Sequence, residues 1–91
     1  MDYCIRILDN PIFRGILVMY EIDYVKYKAK LSKNIKHFRK ELGLAQEKLA
    51  LEAGVDRTLV SKIERQIANP SLEILIRLSL TLNVTVCDLL S

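Results

Sequence analysis

The 91-residue sequence predicts an all-α domain of five helices with a helix-turn-helix at its centre, preceded by an extended or β-hairpin segment. Three observations predict it. Apolar residues recur at intervals of three and four over most of residues 31–90, the period of a helix with one buried face. Glycines and capping residues punctuate those runs. The stretch 46–65 reads as two short helical runs joined by the break Ala53-Gly54-Val55. With 51% apolar residues, one compact core without staples is within reach.

Residues 1–22 stand apart from residues 23–91, the helical domain. Tyr3–Leu8 and Ile16–Ile22 are rich in β-branched and aromatic residues, and Asp9-Asn10-Pro11 and Gly15 between them are turn residues. A β-hairpin, or a pair of extended arms serving a dimer, is the natural reading. A partly disordered tail and a start at Met19 are the alternatives. A two-stranded hairpin is marginal alone, so it would need helix 4 or a second subunit to pack on.

Helix 1 is marked by Leu31, Ile35, Phe38 and Leu42, a stripe that ends at Gly43. Tyr24 and Tyr27 extend the spacing backwards, so the helix starts either at Ser32 or at an Asp23 cap. Helix 2 runs from Gln46 to Glu52, and Gly54 stands where the chain must stop and reverse, a place that favours φ > 0. Asp56 can accept a bond from a free N–H in the first turn of helix 3, which ends near Arg65. Pro70 breaks the chain and Ser71 caps helix 4, Leu72 to Leu82, closed by Asn83. Helix 4 is apolar on more than one face and calls for a second cover, from the N-terminal segment or another subunit. Thr85-Val86-Cys87-Asp88 has the pattern of a capping box and opens a short helix 5 through Leu90.

The two sides of helix 3 differ in chemistry. Val60 and Ile63 point one way, joined by Val55 from the turn, and belong to the core. Arg57, Thr58, Ser61, Lys62 and Arg65 form the opposite stripe, without a carboxylate. A helix so presented fits the DNA major groove, where Arg or Lys bonds guanine O6 and N7 and Ser or Thr serves either donors or acceptors. A charged stripe by itself is more often a solvated face; the turn, cap and stripe together favour nucleic acid.

Charge placement agrees. The net charge is only +3, but Tyr24 to Lys40 holds seven Lys or Arg (Lys26, Lys28, Lys30, Lys33, Lys36, Arg39, Lys40) and no acid, a distribution suited to a polyanion. Cys4 and Cys87 are too few and too far apart for a metal site, and they read as reduced thiols of a cytoplasmic protein. No basic n-region or membrane-length apolar run is present. Catalysis is not expected: His37 is the sole histidine, and no carboxylate pair, nucleophile elbow or glycine-rich phosphate loop accompanies it. No cofactor or metal is called for.

From Leu31 to Leu90 the chain resembles the Cro/cI, or XRE, family of phage-repressor helix-turn-helix proteins. The resemblance rests on Leu31–Leu44, Gln46-Glu-Lys-Leu-Ala, Ala53-Gly-Val, Val60-Ser-Lys-Ile-Glu-Arg65, Asn69-Pro-Ser-Leu-Glu73 and Leu82-Asn-Val-Thr-Val86, in that order. It implies a five-helix repressor-like DNA-binding domain that regulates transcription, usually as a dimer. By position it implies a phosphate contact for Gln46 at the helix 2 N-terminus, base contacts for Arg57, Thr58, Ser61 and Lys62, and a backbone contact for Arg65. Arg39 and Glu64 match an internal ion pair, in keeping with a glutamate beside Val60 and Ile63 that needs a cation.

Three positions depart from the pattern. Ala45 stands where a Ser or Thr cap is usual, Gln66 where glycine is usual, and Ile67-Ala68 where the following loop is often basic. The expected activity is that of a homodimeric, sequence-specific regulator on a pseudo-palindromic site in double-stranded DNA. A phage-type repressor, a restriction–modification controller and an autoregulator all fit, and the small size suits the latter two. The competing expectation is a protein-interaction module, such as an antitoxin, with DNA binding secondary.

Overall fold

A computed structural model describes residues 11–91, which are all-helical: α1 (Pro11–Glu41), α2 (Gln46–Ala53), α3 (Arg57–Glu64), α4 (Leu72–Leu82) and α5 (Val86–Leu90). The α2–α3 pair packs as a unit. Helix α1 lies against α3 and α5, while α4 closes the bundle against α2 and α5. The core draws on every helix: Leu31 and Ile35, then Leu49, Ala50 and Ala53, then Val60 and Ile63, then Leu78 and Leu82, and Leu89. Among these, Ile35, Leu49, Val60, Leu78 and Leu89 are completely buried, each stabilising by about 1.5–3 kcal/mol relative to exposure.

Chain reversals follow from local chemistry. Gly43 ends α1 at φ 69°, a left-handed value that glycine adopts without a Cβ clash, and Leu44 N–H donates back to Arg39 C=O at 3.0 Å. The Ser71 hydroxyl accepts from Ile74 N–H at 3.3 Å, and Asn83 closes α4 in the left-handed region at φ 58°. The Thr85–Asp88 capping box holds α5, and Asn34 Nδ2 ties α1 to it by donating to Leu89 C=O at 3.0 Å.

The N-terminal expectation requires correction. Ile16–Ile22 forms no strand: α1 runs without interruption from Pro11 through residues 22 and 23, starting before either expected cap. Elongating an existing helix adds one backbone bond per residue fixed, whereas a second strand would need a partner. Gly15 costs only about 1 kcal/mol inside a helix, and Pro11 as first residue lacks an N–H that would be unpaired there anyway. Tyr3–Leu8, the other half of the expected hairpin, lies outside the described residues, as does Cys4. With 31 residues, α1 is the long element of the molecule, and Val18, Met19, Tyr20, Ile22 and Val25 remain exposed along it. No helix among the described residues is long and apolar enough to cross a membrane.

Candidate nucleic-acid interface

The turn between α2 and α3 fixes the angle at which α3 is presented. Gly54 caps α2 at φ 69°, and Val55 N–H returns to Ala50 C=O at 2.9 Å. A side chain at Gly54 would put its Cβ 3.2 Å from Arg77 Nη1. That guanidinium donates to Gly54 C=O at 3.1 Å and to Glu73 Oε1 at 2.9 Å, bracing the turn from α4. Asp56 then starts α3: its Oδ1 accepts from Thr58 N–H at 2.8 Å, meeting one of the unpaired donors of the first turn.

Anchoring of α3 comes from its inner face. Val60 and Ile63 enter the core, and Glu64 is buried beside them. The Arg39 guanidinium meets both Glu64 carboxylate oxygens, Nε to Oε2 and Nη2 to Oε1, each at 2.9 Å. Its third arm donates to Leu44 C=O at 2.8 Å. The buried Ser32 hydroxyl donates to Glu64 C=O at 2.6 Å, so α1 grips the end of α3 through both side chain and backbone. A planar fork with two parallel bonds holds a carboxylate in a fixed orientation, and no buried side-chain polar atom among the described residues is left without a partner.

What remains outward is the polar stripe. Arg57 and Thr58, the first two residues of α3, are exposed, as are Lys62 and Arg65, and Ser61 is half-buried between them. Gln46 is the first residue of α2 and half-buried, at a helix start whose free N–H groups favour an anion. Leu59, next to this stripe in sequence, is half-buried and packs against the core.

Two contacts escape sequence reasoning. Arg57 Nη1 lies 3.8 Å from Glu47 Oε2 on α2, so a carboxylate does approach the outward stripe. Both side chains are well exposed, and such a pair contributes little. The proximity depends on the crossing of α2 and α3, for which one-dimensional spacing has no signal. The Arg77 brace had half a signal, since Glu73 and Arg77 are four apart on α4. No cluster that could hold a metal ion occurs among the described residues.

Comparison with known proteins follows the same lines. A helix-turn-helix family model matches residues 35–89. The HTH-type transcriptional regulator SinR of Bacillus licheniformis is 40% identical over 62 residues, 67% of this chain and 56% of SinR; the chain thus spans just over half of that relative. The control protein C.SmaI of Serratia marcescens is 35% identical over 71 residues, covering 78% of this chain and 84% of C.SmaI. Among solved structures, the restriction-modification controller protein C.AhdI of Aeromonas hydrophila superposes with a TM-score of 0.65 at 32% identity, over 68% of this chain and 94% of C.AhdI.

Proposed function

Because the chain belongs to the helix-turn-helix family of the Cro/cI (XRE) type, we propose that it is a transcriptional regulator that binds double-stranded DNA in a sequence-specific way, as a homodimer on a pseudo-palindromic operator. The outward face of α3 carries this reading: Arg57, Thr58, Ser61, Lys62 and Arg65 lie opposite an inner face held by Val60, Ile63 and the Arg39–Glu64 pair. Arg57, Thr58, Ser61 and Lys62 read base edges. Gln46 and Arg65 contact phosphates and set the register. A cytoplasmic protein of this kind has direct access to its DNA.

The homodimer draws on α4. Leu72, Ile76 and Leu80 stand four apart and are 66%, 43% and 75% exposed, an apolar stripe that the monomer leaves uncovered. Two α3 helices brought together about one DNA turn (~34 Å) apart would enter successive major grooves. Leu80→Glu is expected to shift sedimentation from dimer to monomer and to weaken binding to DNA; a dimer unchanged by it would place the contact elsewhere.

Salt dependence separates this reading from the interaction module, which the exposed Val18, Met19, Ile22 and Val25 of α1 favour. A mixed-sequence duplex titrated with protein at 50 and 200 mM salt is the test. A binder making 6–10 phosphate contacts loses roughly 10³–10⁵ in affinity over that range. Absence of any affinity at the lower salt would leave protein docking as the activity.

A further inference from the structure

We propose that the groove between α1 and the end of α3 holds a DNA backbone phosphate, gripped by Lys33, Lys36 and Lys40 with the Gln66 amide. The inference rests on the DNA-binding reading above and adds a contact surface outside the α2–α3 unit. The groove, about 420 Å³, is lined by Ala29, Ser32, Lys33, Lys36, His37, Lys40 and Gln66. Lysines at i, i+3 and i+7 share one side of α1. Among the described residues none of the three forms an ion pair; the nearby Glu41 is taken by His37 Nε2 at 3.0 Å. Like charges on one groove repel each other, and an anion placed among them relieves that repulsion.

The opposite wall supplies a second observation. Gln66 N–H donates to Ile63 C=O at 3.0 Å and Ile67 N–H to Lys62 C=O at 3.0 Å, so the chain turns tightly at the end of α3. Gln66 makes this turn at φ 64°, a left-handed value that disfavours a side chain. Glycine would relieve the backbone, yet the position carries an exposed amide donor on the lip of the basic groove. The loop beyond it, Ile67-Ala68-Asn69, brings no cation. The cations about this turn are therefore Lys62 and Arg65, just before it in sequence, and the α1 lysines that share a groove with Gln66. In the proposed contact a duplex seated on α3 meets its next phosphates at those lysines.

Single-charge variants test this against a 30-base-pair mixed-sequence duplex, by fluorescence anisotropy between 50 and 200 mM salt. Lys36→Gln is expected to reduce the slope of log affinity against log salt by about 0.9, one phosphate contact. Lys28→Gln is the matched control on the same helix: its ammonium lies over the Tyr24 ring, 4.7 Å from the centroid, away from the groove. It should leave the slope unchanged. Equal slopes for Lys36→Gln and Lys28→Gln would overturn the proposal while the wild-type slope still supported DNA binding; a wild type without affinity for the duplex would remove the underlying reading instead. Gln66→Gly should raise the melting temperature and weaken binding to all sequences alike, and undiminished binding would exclude the amide from the contact. Inorganic phosphate at matched ionic strength should not stabilise the wild type beyond chloride. Stabilisation lost in Lys36→Gln would assign the groove to a free anion and contradict the DNA contact.

Discussion

Arg39 and Glu64 join the first helix to the third through a two-armed ion pair, 2.9 Å on each arm, with side chains only 12% and 2% exposed. Removing one partner strands a charge in the core. Arg39→Ala is therefore expected to cost about 3–5 kcal/mol in urea unfolding, whereas an apolar replacement of both partners, Arg39→Met with Glu64→Leu, recovers most of that loss. A single substitution costing under about 1 kcal/mol, the range of exposed pairs, would show that the pair does not hold α3 in place.

Ala45 precedes α2 with extended backbone, φ −73° and ψ 160°, and no side chain caps the helix. A serine in that conformation can accept from the N–H of Glu47 or Lys48. Ala45→Ser is expected to stabilise by about 1 kcal/mol, a rise of roughly 4–8 °C in melting temperature for a domain of this size. Calorimetry decides it: an unchanged midpoint would mean that water already satisfies this helix end.

At the other end of the chain, Thr85 N–H donates to Asp88 Oδ2 at 2.9 Å while Asp88 N–H donates to Thr85 Oγ1 at 3.0 Å. The bond from the Thr85 backbone, aided by its hydroxyl, holds the Asp88 carboxyl below the ordinary aspartate range. A carboxyl depressed on folding stabilises above that range and loses its contribution as pH falls through the depressed value. The melting-temperature gap between wild type and Asp88→Ala should thus be open at neutral pH and narrow in acid. A gap that widened on acidification would reverse the assignment.

Much of this was legible in one dimension. Ser71 and Asn83 bound α4 at Leu72–Leu82, as their capping chemistry predicts, and the Thr85–Asp88 box opens α5. The division of α3 between Val60 and Ile63 inside and the polar stripe outside follows from 3.6-residue spacing. Residues 11–23 of α1, ahead of the earlier of the two expected starts, were not legible, because strand propensity is scored window by window while a helix extends cooperatively from a turn already packed at Leu31 and Ile35. Likewise Leu42 fits the apolar spacing of α1 but lies past its end at 52% exposure. The approach of Glu47 to Arg57 and the basic groove facing Gln66 arise where separate helices cross, which no local pattern encodes.

Arg57 and Gln46 should fail in different ways. Arg57→Ala is expected to cost about 1–3 kcal/mol on a preferred site and to relax preference at one base, while Gln46→Ala weakens all sequences alike. Competition binding with a preferred and a scrambled duplex measures both. Equal losses from Arg57→Ala on the two duplexes would remove Arg57 from the base-reading group.

Selection of bound duplexes from a random library, with folded protein in near-physiological salt, tests the central claim most directly. A dimer presenting two α3 helices should recover a symmetric motif whose half-sites lie about ten base pairs apart. Recovery of no enriched sequence from demonstrably folded protein would contradict sequence-specific DNA binding and leave the apolar faces of α1 and α4 as the working surfaces of the molecule.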